Sequence, residues 1–205
     1  MVDIAKDHDS AVRATTRTNA GPGPATPDGR EPVRVSMTAP DARSTTAARY
    51  LLAGIRLALG WIFLWAFLDK TFGLGYATTS ERSWLNGGSP TNGFLGSAAK
   101  GPFTGFYHAI AGTALADILF MTALLAIGAA LILGIGIRLA AAAGALLTVM
   151  MWTVVLPPAS NPFMDEHLIY AAVLIVLALL GAGNTLGFGR AWATTPLVQR
   201  ATWLK

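Results

Sequence analysis

The chain has 205 residues, of which 53% are hydrophobic and 13% are charged, and its mean hydropathy is +0.51. Soluble domains carry about a quarter charged residues, so this composition argues against an ordinary soluble domain and indicates an integral membrane protein. The formal net charge is +4, but the basic residues mostly flank apolar runs, so the expected partner is a lipid bilayer and not nucleic acid. The chain contains no cysteine, which excludes disulfides, thiol redox chemistry and iron–sulfur ligation within it.

The first 46 residues are rich in Ala, Pro, Thr, Asp and Arg and include the turn-forming stretch GPGPATPDG at residues 21–29. They show neither helical nor strand-like apolar periodicity, which predicts a disordered cytoplasmic tail at residues 1–46. No apolar run of seven or more residues precedes Tyr50, so we expect no cleavable signal peptide.

Four apolar runs follow, and they predict transmembrane helices at residues 50–68, 114–137, 139–155 and 167–186. The first run holds about twenty mostly apolar residues, enough to cross a hydrocarbon layer of ~30 Å. The connection after the second run is very short, so we expect the second and third helices to pack antiparallel. The predicted fold class is all-α: an integral membrane four-helix bundle at residues 47–192, with a short cytoplasmic tail at residues 193–205.

Residues 71–113 are too many for a turn and too polar to cross a membrane. Their turn residues and aromatic anchors predict a cap at the membrane interface, with short helices around residues 80–85 and 103–111. Lysine and arginine are expected on the cytoplasmic side of a membrane, and the chain ends and the second connection carry most of them here. The prediction is a multi-pass protein of the cytoplasmic membrane with both termini cytoplasmic and the cap extracytoplasmic.

Arg56 lies about two turns inside the first predicted helix, where a charge near the bilayer centre costs roughly 2.5–3.5 kcal/mol. Snorkelling to the headgroups would support it, as would hydrogen bonds to Asn184 or to carbonyl groups near the end of the fourth helix. We interpret Arg56 as a structural charge, and Arg138 in the second connection likewise.

A candidate site lies at the predicted outer surface, where ionisable residues from distant positions share one layer. Asp69 and Lys70 end the first helix, Asp117 opens the second, and His167 opens the fourth after Asp165 and Glu166. These residues are the predicted catalytic groups, because histidine exchanges protons near neutral pH and carboxylates can relay them. The alternative is that they are ordinary interfacial anchors and helix caps.

Tyr170 follows His167 by about one helical turn, and Trp65 lies in the outer half of the first helix. A quinone ring needs an apolar slot open to lipid, a hydrogen bond to each carbonyl and a proton route to water. Tyr170 and Trp65 are therefore the predicted cofactor-binding residues for a diffusible quinone.

Two other kinds of cofactor are not favoured. A bis-histidine haem would need His108 and His167, but His108 lies in an irregular loop. A metal site at Asp165, Glu166 and His167 is disfavoured because adjacent helical residues point about 100° apart.

Four segments together resemble the DoxX/DoxD family of four-helix bacterial membrane proteins, in the branch of the small subunit of thiosulfate:quinone oxidoreductase. They are RLALGWIFLWAFLDKTFGLG at residues 56–75, WLNGGSPTNGFL at residues 84–95, IGAALILGIGIRLAAAAGAL at residues 127–146, and HLIYAAVLIVLALLGAGNTLGFGRAW at residues 167–192. The resemblance implies a quinone acceptor, thiosulfate or sulfur oxidation or oxidant defence, and a second oxidoreductase subunit.

The leading functional hypothesis is the membrane subunit of a quinone-linked oxidoreductase. The alternative is a non-catalytic membrane scaffold for a redox partner. Transport is a weaker third hypothesis, because four short helices rarely line a path unless the chain forms homo-oligomers, and no predicted helix is broken in its middle.

Overall fold

The computed structural model describes residues 42–204, with side chains from residue 45 onward, and this part of the chain is all-helical with no strand. The predicted disordered tail lies outside the described residues except for its last few positions. Those belong to the first helix, α1, which spans Ala42–Phe72. The predicted boundary at residue 46 was therefore wrong, because no glycine or proline follows Pro40 until Gly54 and the helix can begin early.

Seven further α-helices follow in the described chain: α2 Asn92–Ser97, α3 Thr104–Ile110, α4 Ala114–Leu133, α5 Ile137–Val154, α6 Glu166–Leu179, α7 Gly189–Ala193 and α8 Pro196–Arg200. Three segments are long and apolar enough to cross a membrane, namely Thr45–Phe72 in α1, together with α4 and α5. These three helices indicate a membrane protein.

Two of the predicted helices end earlier than expected. Helix α4 stops at Leu133 instead of residue 137, because Gly134 turns into the left-handed region at φ +73°. Helix α6 stops at Leu179 instead of residue 186, and Gly181 turns the chain at φ +61° into a short 3-10 helix, Ala182–Asn184. At 1.5 Å per residue the 14 residues of α6 are only about 21 Å long.

Close helix packing depends on glycine at two contacts. A side chain at Gly128 of α4 would lie 2.7 Å from the backbone nitrogen of Leu64 on α1, so these helices approach closely there. A side chain at Gly144 of α5 would likewise lie 2.8 Å from Cδ1 of Leu174 on α6. Ala140 and Ala141, in the same alanine-rich stretch of α5, are buried as well.

One buried apolar cluster joins α1, α4, α5 and α6. It contains Leu59, Phe63, Met121, Leu124, Ile127, Leu131, Ile137, Ala140, Ala141, Leu174, Leu177 and Ala182. The connection at residues 71–113 is hydrogen-bonded to the end of α1 through Asp69, to the start of α4 through Asp117 and to the end of α5 through Val154. These three helices therefore alternate in direction, and the structure has two distinct ends. We call the end with Asp69, Asp117 and Asp165 the acidic end, and the end with Arg49, Arg138 and Arg190 the basic end.

The cap, residues 71–113, folds into short helices at the acidic end. Besides α2 and α3 it contains 3-10 helices at Ser80–Arg82, Trp84–Asn86 and Gly101–Phe103, which confirms the expectation of short helices in this connection. Tyr107 is buried against Val154 at the end of α5, and the amide of Lys100 donates to the Val154 carbonyl at 2.9 Å. The cap is therefore docked on the helices and is not a free loop.

The described part of the predicted tail at residues 193–205 is also helical. It contains α8 and a 3-10 helix at Thr202–Leu204. The indole nitrogen of Trp192 donates to the Leu204 carbonyl at 2.7 Å, so this segment folds back on α7. Arg138 is exposed, and its Nη1 lies 3.5 Å from the carbonyl of Thr202.

Candidate functional site

Asp69 is buried in the last turn of α1, with 2% of its surface exposed. Its carboxylate accepts hydrogen bonds from the backbone amides of Tyr76 at 3.3 Å and Ala77 at 3.1 Å. These bonds tie the start of the cap to the helix end. Asp69 thus has a structural task that its position in the sequence did not reveal.

Asp117 is buried in the first turn of α4 and binds the middle of the cap. Its Oδ1 accepts from the Ser89 hydroxyl at 2.9 Å, and from the amide and hydroxyl of Thr91 at 2.9 and 2.6 Å. The Thr91 hydroxyl oxygen in turn accepts from the Gly112 amide at 3.2 Å. The turn at Ser89 and Thr91 is thus pinned to the start of α4.

His167 and Asp165 form the one ion pair among the described side chains, at the start of α6. Asp165 caps the helix by accepting from the His167 amide at 3.1 Å, and its other oxygen lies 2.7 Å from His167 Nδ1. An ionised carboxylate only accepts hydrogen bonds, so Nδ1 must carry the proton. That leaves Nε2 of a largely buried ring, 14% exposed, to exchange a proton with another group.

The two predicted quinone-binding residues have different surroundings. Tyr170 is half-buried and packs against the main apolar cluster on α6. Trp65 instead contacts Trp61, with ring centroids 5.6 Å apart, and Tyr76, at 5.1 Å in an edge arrangement. Among the described residues no ring contact joins Trp65 to Tyr170.

Asp165, Glu166 and His167 each offer a ligand atom, and these atoms all lie within 4.8 Å of one another. The geometric argument against a metal was therefore wrong: Asp165 precedes the helix in an extended conformation, so its carboxylate can turn back toward His167. Proximity of these three side chains alone assigns no metal. His108 is exposed on α3.

Lys70 lines an open cleft of about 650 Å³ between the end of α1 and the cap. Its side chain is half-buried, and its ammonium group makes no hydrogen bond or ion pair with the described residues, including its neighbour Asp69. Arg82 and Glu81 line the same cleft. Hydrogen bonds from its own backbone amide and from the Thr79 hydroxyl hold the pKa of Glu81 below its usual value.

Arg56 is completely buried at the basic end, so the expectation of snorkelling was wrong. Its Nη1 donates to the carbonyls of Leu131 and, at 3.2 Å, Ile132. Its Nη2 donates to the carbonyls of Thr185 at 3.3 Å and Leu186 at 2.7 Å. The expectation of carbonyl acceptors after the fourth helix is confirmed, and the acceptors at the end of α4 are an addition.

The sequence-based site therefore divides into separate local clusters at one end of the molecule. Asp69, Asp117 and His167 share that end, as predicted, but each has its own partners. The residues that sequence reasoning missed are Ser89 and Thr91, the partners of Asp117. Their position in the turn SPT was the available signal, because such turns often expose hydroxyl and amide donors.

Comparison with protein-family models, with curated proteins and with solved structures gave no match for this chain.

Proposed function

We propose that this chain is a DoxX-like four-helix protein of the cytoplasmic membrane, with both termini cytoplasmic, and the membrane subunit of a quinone-linked oxidoreductase. The observation that supports the reaction is the Asp165–His167 pair at the start of the apolar helix α6, with 2.7 Å between Oδ2 and Nδ1. Such a pair can supply protons at the edge of a lipid-facing helix, which is where a diffusible quinone arrives.

A quinone gains two electrons and two protons to become a quinol. The doubly protonated ring of His167 donates one proton from Nε2 to a quinone carbonyl oxygen, and the second carbonyl oxygen takes its proton from water at the membrane surface. Asp165 stabilises the charged ring, and exposed Glu166 connects the pair to water, which restores the proton on Nε2. The chain has no cysteine for an internal redox centre, so a second subunit passes the electrons to the quinone. The resemblance to the DoxX/DoxD family makes thiosulfate or another reduced sulfur compound their source: two thiosulfate ions each lose one electron and join through a new sulfur–sulfur bond.

Tyr170 is the second proposed quinone ligand, because it lies one turn beyond His167 and its half-buried ring borders the apolar cluster. Asp69 and Asp117 hold the cap in this proposal. Their carboxylates already accept hydrogen bonds from the backbone amides of Ala77 and Thr91. Proton transfer is therefore assigned to His167 alone.

The test is quinone reduction with thiosulfate as donor, in membranes that contain the full chain and its partner subunit. His167→Ala should lower turnover by about 10²- to 10⁴-fold at normal protein level, the range for removal of a general acid. His108→Ala is the matched control, since that histidine is exposed on α3. Equal turnover in the His167 and His108 variants would refute the assignment.

A scaffold for a redox partner is the second proposal. It is favoured by the folded cap, whose beginning and middle are each tied to a helix by a buried carboxylate. Half-buried Lys70 and exposed Arg82 face the same cleft and would contact the partner. In that case His167→Ala keeps full turnover of the assembled complex, whereas Arg82→Glu releases a stoichiometric partner during purification in mild detergent.

A further inference from the structure

The two ends of the described structure differ sharply in charge. All five carboxylate side chains among residues 45–204 lie at the acidic end: Asp69, Glu81, Asp117, Asp165 and Glu166. The basic end carries four exposed arginines and no carboxylate from these residues: Arg49, Arg138, Arg190 and Arg200. An anionic group is therefore attracted to the basic end without competition from a carboxylate side chain of residues 45–204.

A cleft of about 450 Å³ opens at this end between the start of α1 and the segment after α6. Arg49 and Arg190 line it together with the exposed amide of Asn184 and the apolar side chains of Leu52 and Leu180. Neither guanidinium group makes a hydrogen bond or ion pair with another residue in the described part of the chain. Two cations thus face one cleft with no partner among residues 45–204.

One wall of this cleft is held in place by Arg56. Thr185 lines the cleft, and its carbonyl and that of Leu186 accept hydrogen bonds from the buried Arg56 guanidinium. The wall is consequently fixed before any ligand binds, which lowers the cost of ordering it.

Exposed apolar side chains lie in and beside the cleft. Leu51 on α1 is 67% exposed, and Leu179 and Leu180 at the end of α6 are 79% and 61% exposed. In a membrane these leucines contact acyl chains. The cleft therefore combines phosphate-binding cations with a surface for lipid tails, a pairing that a free anion does not need.

We propose that the cleft binds the headgroup of an anionic phospholipid, with Arg49 and Arg190 at the phosphate and the Asn184 amide at the headgroup oxygens. Arginine suits this role because its planar donors match phosphate oxygens in pairs. This inference concerns the end of the molecule opposite His167 and does not depend on the proposed redox function.

The test is lipid retention by the full chain purified in detergent and titrated with phosphatidylglycerol or phosphatidylcholine, with bound lipid counted by native mass spectrometry. Each of Arg49→Gln and Arg190→Gln should weaken phosphatidylglycerol binding about fivefold, and the double variant about twenty-fivefold. Arg200→Gln is the matched control, because Arg200 lies at the same end without lining the cleft. It should bind like the unaltered chain.

Two further arms separate the sources of phosphate. Phosphatidylcholine should bind more weakly than phosphatidylglycerol, and inorganic phosphate in large excess should not displace the lipid. The proposal is overturned if the double variant retains phosphatidylglycerol like the unaltered chain, if both lipids bind equally, or if inorganic phosphate displaces the lipid. Thermal unfolding without added lipid should be the same for all variants, and a double variant that unfolds early is replaced by the two single variants.

Discussion

Arg56 donates a hydrogen bond of 2.7 Å from Nη2 to the carbonyl of Leu186, although 130 positions separate them in the chain. Nη1 of the same guanidinium group donates to the carbonyls of Leu131 and Ile132, in the last turn of α4. An α-helix leaves its last four carbonyls without intrahelical partners, and a membrane supplies no water for them. Arg56 also places a positive charge at the negative end of the α4 dipole.

The remaining carbonyls of that turn are satisfied as well. Ala130 accepts from the amides of Gly134 and Ile135, and Leu133 accepts from the amide of Phe188 at 2.8 Å. Every carbonyl from Ala130 to Leu133 therefore has a donor. Arg56, a charged residue within an apolar run, thus supplies the hydrogen-bond donors for two carbonyls at the end of the neighbouring helix α4.

Replacement of Arg56 should therefore destabilise the protein strongly. Arg56→Ala leaves buried carbonyls on two segments without donors, and we expect a loss of about 3–5 kcal/mol in the free energy of unfolding. Arg56→Lys should recover only part of this loss, because a single ammonium group cannot reach both pairs of carbonyls as the guanidinium fork does. Thermal unfolding in detergent measures the loss.

Arg138→Ala is the matched control for this prediction, since Arg138 is exposed at the same end. It should change the free energy of unfolding by less than about 0.5 kcal/mol. Equal effects at Arg56 and Arg138 would contradict the role assigned to the buried guanidinium.

A second prediction concerns the contact between α1 and α4. Gly128→Ala places a methyl group 2.7 Å from the backbone nitrogen of Leu64, and backbone cannot move aside as a flexible side chain can. We expect a loss of about 1–3 kcal/mol from the forced separation of the two helices. Gly54→Ala on α1 should instead be neutral or slightly stabilising, because no atom of the described residues outside the local helix backbone lies within 4 Å of the added methyl group. Destabilisation of equal size at both positions would contradict this account.

The helical class, the order of the long helices and the sharing of one end by Asp69, Asp117 and His167 could all be predicted from the sequence. Apolar run length and the placement of charges carry that information. The ends of α4 and α6 could not be predicted, because Gly134 and Gly181 stop these helices through tertiary contacts and left-handed turns within otherwise apolar runs.

The roles of the acids were also beyond the sequence. Whether a carboxylate at a helix end is free for chemistry depends on which loop amides fold against it. Asp117 and His167 look alike as ionisable residues that open apolar helices. Asp117, however, accepts hydrogen bonds from Ser89 and Thr91, whereas Nε2 of His167 has no hydrogen-bond partner among the described residues.

A third prediction tests the structural role of Asp117. Asp117→Ala removes the acceptor of three buried or half-buried donors, and we expect a loss of about 2–3 kcal/mol together with a loosened cap. Trypsin should then cleave faster after Arg82 and Lys100, which are exposed in the cap. Asp117→Asn keeps an acceptor oxygen and should show a smaller change in both measurements.

The asparagine variant also separates structure from catalysis. If Asp117→Asn leaves cleavage in the cap unchanged but abolishes quinone reduction, the carboxylate acts in proton transfer and the structural assignment is wrong. Faster cleavage in the cap together with slower quinone reduction, or no change in either, agrees with a residue that anchors the cap.

The last prediction concerns the short helix α6. Its 14 residues are about 21 Å long, less than the ~30 Å of a typical hydrocarbon layer, yet Asp165 at its start lies at the acidic end and Arg190 soon after it lies at the basic end. We expect α6 to cross, because local thinning of the bilayer costs only fractions of a kcal/mol per Å of mismatch. A fluorescent reporter that matures only in the cytoplasm should then be active when fused after Lys205, and alkaline phosphatase inserted in the cap after Gly87 should be active outside. An inactive carboxy-terminal fusion, with the cap insertion still active, would mean that only α1, α4 and α5 cross the membrane.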